Sequence, residues 1–251
     1  MSIVHEILQR RDQLLREGKV PTTSSHATER PLFIWEPVPD LCTPEEQEKF
    51  FKASRFVDMV SPNELELGMM FGRPGWTEAR NEDRELVQGI LESGIGPNRN
   101  GVLAIRAGKD GSYAYTRNRR IWLPAYHEPD SSKPSAVVDP TGAGNSYLGA
   151  LAQGMVSAGR EPAVVIEETL GGSENWKELV ESWGEYKDIP IALICATVAA
   201  GFVVEQIGVP RISRSIDGKE LWNGTEFIQR THLYAQRLRY KPLEELFPQR
   251  S

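Results

Sequence analysis

The chain has 251 residues, 39% of them hydrophobic and 25% charged, which is enough apolar material for a buried core and too much for a disordered chain. Its 29 basic and 35 acidic residues leave a net charge of −6, which argues against a general nucleic-acid binder with a basic footprint. Two cysteines, Cys42 and Cys195, exclude a disulfide scaffold and a four-cysteine zinc site, and the scattered His5, His26, His127 and His232 offer no H-x-x-x-H pair for a metal.

Residues 1–19 set Ile3, Ile7, Leu8, Leu14 and Leu15 among charges, the pattern of an amphipathic surface helix. No secretory apolar region is present there, and Glu6, Asp12 and Glu17 argue against a mitochondrial presequence. With the cysteine usage, this suggests a reducing, cytoplasmic setting. Residues 21–30 (PTTSSHATER) read as a polar linker, so residues 1–30 are expected to precede a single domain over 31–251. Residues 31–35 predict a short strand. Thr43, Pro44 and Glu46 suit an N-cap, a first helical position and a capping box, with a helix to about Ser54. Residues 56–60 predict the next strand. The turn at Ser61-Pro62-Asn63 opens a second helix through Met70, with Asn63 as its cap, and residues 82–93 predict a third. Residues 101–106 and 112–116 flank the turn Lys109-Asp110-Gly111 and predict a hairpin. Further strands are expected over 121–126 and 136–139, and helices over 146–158, 191–206 and 226–239.

Two uncharged stretches test for a membrane span. Residues 140–159 are broken by five glycines, and residues 189–204 include Pro190 and number sixteen, short of the roughly 20 a span needs. A buried helix is expected at the latter, and no membrane association. Strands alternating with helices imply an α/β fold whose parallel sheet is covered on both faces. Trp35 and Trp122 lie in apolar strands and suit the core, while Trp76 lies in a loop and suits a pocket wall. Arg117, Arg119 and Arg120 read as a solvated basic turn, and Cys195 as a small buried hydrophobe.

Val137-Val-Asp139-Pro-Thr141-Gly142-Ala143-Gly144-Asn145-Ser-Tyr147-Leu-Gly149 carries the most chemical information. Its glycines let backbone pass close to a ligand, and the helix that follows aims unbonded N–H groups and the positive end of its dipole at the same point. Such a turn stabilises an anion, including the charge on a phosphoryl group in flight. A bare G-x-G is by itself an ordinary strand-to-helix turn.

The longer string D-P-T-G-A-G-N-S-Y resembles the second signature of the PfkB/ribokinase family of small-molecule kinases, D-T-x-G-A-G-D-x-F. Asn63-Glu-Leu-Glu66 is similar to the family's N-x-x-E segment. Residues 102–111, with Arg106, Gly108 and Gly111, resemble its strand and G-x-x-G hairpin beside the nucleotide. Residues 195–204, with Ala199, resemble the small-residue helix that borders the adenine. Leu221-Trp-Asn-Gly224 resembles a fungal branch, the maintenance-of-killer proteins. These motifs occur in family order over roughly residues 31–224. The resemblance implies a Rossmann-like, ribokinase-like three-layer αβα sandwich. It implies a catalytic anion hole at Gly142, Ala143, Gly144 and Asn145, and ATP or ADP contacts at Asn63, Arg106, Gly108, Gly111, Thr141 and Ala199. Glu66 would organise Mg²⁺ through water.

Two departures qualify that implication. Asn145 stands where the family carries the Asp that takes the proton from the substrate hydroxyl, and an amide cannot accept it. Asp139 is a possible substitute, but its place at the strand end suits a turn-stabilising role better. The N-x-x-E match already falls at Asn63, so the usual substrate-binding half and β lid are expected to be missing. The sheet edge and face so exposed predict a homodimer or larger complex, with the N-terminal helix and linker helping to cover the gap. Three readings stand open: a kinase acting on a small-molecule hydroxyl, a repurposed or catalytically silent member that keeps the anion hole for a small-molecule ligand, and one half of a split kinase.

Overall fold

The computed structural model describes residues 2–19, 30–129, 132, 134–157 and 159–246; the expected linker, apart from Arg30, lies outside them. The helices in chain order are α1 (Ser2–Arg16), α2 (Gln47–Ser54), α3 (Glu64–Met70), α4 (Asn81–Ser93), α5 (Ala143–Met155), α6 (Ala163–Gly171), α7 (Glu174–Ser182), α8 (Asp188–Val203), α9 (Phe227–Arg239) and α10 (Leu243–Leu246). The strands are β1 (Ile34–Trp35), β2 (Met59–Val60), β3 (Val102–Arg106), β4 (Ser112–Tyr115), β5 (Arg120–Leu123), β6 (Ile212–Arg214) and β7 (Glu220–Trp222). Strands β1 to β5 form one sheet in that order, and β6 and β7 form a separate antiparallel pair. The fold is α/β. It divides into two compact units, Met1–Ser61 with Leu65–Leu103 and Pro62–Glu64 with Ala104–Ser251.

In the first unit β1 runs parallel to β2 with Ile34 opposite Met59, and β2 runs parallel to β3 with Val60 opposite Leu103. Asp58 anchors the chain entering β1. It accepts from the Phe33 N–H at 2.7 Å and pairs with the Arg30 guanidinium. Pro44–Glu46 forms a 3-10 turn and α2 begins only at Gln47. The expected capping box therefore does not form: the Thr43 side chain makes no cap bond, its hydroxyl serves the Glu45 carboxylate, and Glu46 pairs instead with Lys49 at 2.8 Å. Trp76 is buried, and its indole N–H donates to the Asp83 carbonyl at 3.2 Å. The Asp83 carboxylate, fully buried, accepts from Arg73 at 2.5 Å and from Arg80 and the Thr77 N–H at 2.8 Å each.

In the second unit β4 and β5 are antiparallel, with Tyr113 opposite Trp122. The sheet is therefore mixed: parallel from β1 to β3, as expected of an α/β fold, and antiparallel at the hairpins, where the short turns at 107–111 and 116–119 leave no length for a crossover helix. Trp35 and Trp122, expected in the core, are half-buried; the Trp122 indole donates to the Asp110 carbonyl at 2.7 Å. Helix α8 is buried along nearly its whole length, which explains its lack of a polar face. It packs on α5, α6 and α9. Gly154 of α5 permits the approach, since a Cβ there would lie 2.5 Å from the Ala192 Cα. No helix among the described residues is long and apolar enough to cross a membrane.

The strand expected over 136–139 does not form. Val137 and Val138 are exposed, and instead of joining a strand, the Val138 and Asp139 N–H groups donate to the Val204 carbonyl at the end of α8, at 2.7 and 3.2 Å. Arg117 and Arg119 are exposed in the turn after β4, as expected, whereas Arg120 is half-buried as the first residue of β5.

Candidate anion-binding site

The turn leading into α5 is built by three local devices. Asp139 accepts from the Thr141 N–H at 2.9 Å, closing a side-chain turn. The Thr141 N–H and hydroxyl hold the Asp139 carboxyl below its ordinary pKa. Gly142 then takes a left-handed φ of 84° and caps the helix. A Cβ on Gly142 would meet only Val203 Cγ1, at 3.6 Å, so glycine is required here by conformation and not by space.

Helix α5 starts at Ala143, three residues before the expected Ser146, so Gly144 and Asn145 lie in its first turn. The Ala143 N–H donates to the Pro140 carbonyl at 3.1 Å and the Ser146 N–H to Gly142 at 3.0 Å. The N–H groups of Gly142, Gly144 and Asn145 find no acceptor among the described residues. Gly142 and Asn145 are exposed, so solutes reach these donors. Unbonded N–H groups and the positive end of a thirteen-residue helix suit a phosphate or another small anion. The Asn145 side chain adds an amide and no base.

Beneath this first turn the interior is polar. Tyr147, at the position of the signature's Phe, is 5% exposed and its hydroxyl completes no hydrogen bond among the described residues. Burial pushes the Tyr147 phenol up to about 12, with the nearby Ser112 hydroxyl and Arg106 charge opposing.

A second group of expected residues gathers at the end of β3. Asn63 and Arg106 form a parallel bridge, and the Arg106 N–H donates to the Pro62 carbonyl at 3.0 Å. Arg106 is half-buried. Glu64 was not singled out from the sequence, yet it directly follows Asn63. Its Oε1 lies 3.6 Å from where a Gly108 Cβ would stand. Burial raises the Glu64 carboxyl above its ordinary pKa, against the pull of its own backbone and Arg106. Gly111, at φ 86°, has a structural reason to be glycine: a Cβ there would come within 2.0 Å of the Leu123 carbonyl oxygen.

Two other expected residues lie in less accessible places. Ala199 is 4% exposed within α8, leaving little surface for an adenine. Glu66 belongs to the first unit and is 6% exposed, where its charge adds to burial in raising the Cys42 thiol. No group of three or more metal-ligating side chains occurs among the described residues. That fits Mg²⁺ only as an ion held chiefly by phosphate oxygens and water, its usual mode with nucleotides. The exposed amides fit the phosphate itself.

Residues 35–211 match the model of the pfkB family carbohydrate kinases, and the chain belongs to that family. It is 30% identical over 217 residues to "Uncharacterized protein C16C9.01c" of Schizosaccharomyces pombe, covering 82% of this chain and 52% of that protein. It is 29% identical over 213 residues to "Protein MAK32" of Saccharomyces cerevisiae, covering 82% and 49%, which bears out the maintenance-of-killer likeness. The chain thus spans about half the length of the curated relatives it matches. Among solved structures, it is similar to Arabidopsis thaliana ribokinase complexed with ribose and ATP, at 19% identity and a TM-score of 0.47, covering 81% of this chain and 47% of that one. It is also similar to the Methanocaldococcus jannaschii nucleoside kinase, at 19% identity and a TM-score of 0.41, covering 72% and 44%.

Proposed function

We propose that this chain keeps the phosphate-binding turn of its family and has exchanged ordinary hydroxyl phosphorylation for an altered activity on a small anionic molecule. One observation carries the reading: an exposed helix start combines N–H groups that have no acceptor with Asn145 in place of a carboxylate. General-base help is worth about 10²–10⁴ in rate. The nearby carboxylate, Asp139, does not restore it, because it is bonded to Thr141 and held below its ordinary pKa, which weakens it as a base. A bound nucleotide would set a phosphate on the amides of Gly142, Gly144 and Asn145, with Mg²⁺ supplying charge neutralisation when present.

The test is ADP release from Mg²⁺-ATP with a panel of sugars and nucleosides, for the wild type and Asn145→Asp, beside calorimetry with ATP, ADP and inorganic phosphate. The proposal expects phosphate-bearing ligands to bind the wild type and no acceptor to raise ADP release above background. Asn145→Asp is expected to create transfer, or to leave the native activity unharmed. Family membership favours a second reading, an ATP-dependent phosphotransferase with some other proton acceptor. Rapid acceptor-dependent ADP release by the wild type would establish it and refute the first.

A further inference from the structure

Tyr147 carries a hydroxyl that the fold does not use. Its side chain is buried, and so is that of Ser112 at the start of β4, at 3% exposed. Neither hydroxyl has a hydrogen-bond partner among the described residues. The Ser112 hydroxyl lies near enough to the phenol to act on its ionisation, and the Arg106 guanidinium supplies a charge nearby. Native proteins pair nearly all buried polar groups, so two orphan hydroxyls side by side call for a physical reason. Phenylalanine would fill the place of Tyr147 with no polar atom to satisfy.

The direction of the phenol connects it with the anion turn. Side chains on a helix lean toward its N-terminus, over the residues three and four positions earlier. For Tyr147 those are Gly144 and Ala143, the smallest there are. No bulky side chain of α5 therefore stands between the phenol and the Gly144 N–H, which finds no acceptor among the described residues. On the other side, Ser112 follows the exposed turn Gly108–Asp110 at the carboxyl end of β3, the end at which α/β sheets bind ligands. The charges there offset one another. Arg106 acts on Glu64 as well as on the phenol, and Asp110 pairs with Lys109 at 3.1 Å. The two hydroxyls thus offer hydrogen bonding without an excess of either charge, which suits a neutral oxygen.

We propose that Tyr147 and Ser112 form a subsite for an uncharged oxygen of the molecule whose phosphate sits on the α5 amides. The inference rests on the anion-binding reading of that turn. The ligand class is a small phosphate ester with a hydroxyl or carbonyl oxygen near its phosphate, as opposed to inorganic phosphate or an alkyl phosphate. Ligand entry displaces the groups that close over the phenol in the free chain, a side-chain rearrangement common on binding. It gives both hydroxyls the partners that they lack.

The test is calorimetry of the whole chain with inorganic phosphate, glycerol 3-phosphate, dihydroxyacetone phosphate and propyl phosphate. Propyl phosphate keeps the carbon skeleton and lacks the added oxygens. At least one oxygenated ester should bind the wild type about tenfold or more tighter than propyl phosphate. Tyr147→Phe should bring the two affinities together while melting no lower than the wild type, and Ser112→Ala should narrow the difference. Equal binding of oxygenated and alkyl esters to the wild type would overturn the inference, as would a preference that survives both substitutions. A clearly lower melting temperature for Tyr147→Phe would overturn it too, because the phenol would then already have a partner such as a buried water. With inorganic phosphate bound, each of these results leaves the reading of the turn standing. Failure of phosphate and every ester to bind would refute that reading, and the inference with it.

Discussion

Replacing Glu205 with Gln tests how the end of α8 is held. Glu205 accepts two bonds from Arg230, one at 2.9 Å, one from Asn223 at 2.8 Å, and meets His127 Nε2 at 3.0 Å. The Arg230 side chain is 10% exposed and that of Glu205 20%. The Arg230 guanidinium also lies over the Phe202 ring, 3.7 Å from its centroid. Removing one member of a buried pair leaves an uncompensated charge and costs about 3–5 kcal/mol. The partial exposure of Glu205 puts the expected loss near the lower end, about 3 kcal/mol at pH 7. For a chain of this size that is a fall in Tm of about 6–12 °C.

The pH dependence of this loss has a definite sign. Burial works against ionisation of Glu205, but the hydrogen bonds from Arg230 and Asn223 outweigh it and lower its pKa. The ionised carboxylate therefore contributes stability above its unfolded value, and the contribution is lost as pH falls through the lower folded value. The gap between wild type and Glu205→Gln should be wide at pH 7 and narrower at about pH 3, since protonating Glu205 removes the charge that Gln lacks. Urea unfolding followed by tryptophan fluorescence at the two pH values measures it. A variant within about 0.5 kcal/mol of wild type at pH 7, the range of an ordinary surface change, would refute the reasoning.

Tyr147→Phe should leave stability unchanged or raise it by up to about 1 kcal/mol, since it removes a buried hydroxyl that completes no bond among the described residues; a clear loss in a thermal melt would show that the hydroxyl is satisfied in solution. Gly111→Ala should cost at least about 2 kcal/mol, combining a φ of 86° with an approach of 2.0 Å to the Leu123 oxygen; an unchanged Tm would contradict it. Cys42 and Cys195 are 1% and 2% exposed, with burial raising their thiols to about 11 and about 12. Ellman's reagent at mildly alkaline pH should find no fast thiol in the native chain and both after denaturation.

Much of the fold was legible because its signals are local. The punctuation by Pro, Gly and Asn placed α2, α3, α4, α8 and α9 close to where they lie, and the apolar run of α8 announced its burial. What escaped depends on tertiary partners. Residues 136–139 are β-branched enough to suggest a strand, yet they bond to the end of α8 instead. The β6–β7 hairpin was missed because Ile212-Ser-Arg lacks an alternating apolar pattern and all three residues face solvent. Helices α6 and α7 were missed among Glu-rich, glycine-interrupted sequence. At the site, the anion turn was legible from its glycines. The Asp139–Thr141 closure and the place of Glu64 beside Gly108 were not, because both depend on where the backbone brings neighbouring groups.

The central claim is that the amides opening α5 bind an anion although no carboxylate stands beside them in the helix. Titration of inorganic phosphate into ¹⁵N-labelled chain, following the backbone resonances of Gly144 and Asn145, tests it most directly. The account predicts that both N–H signals shift together along one saturation curve, while resonances from the exposed Arg117–Arg119 turn move only weakly and without saturation. Unmoved Gly144 and Asn145 signals across the titration would contradict it.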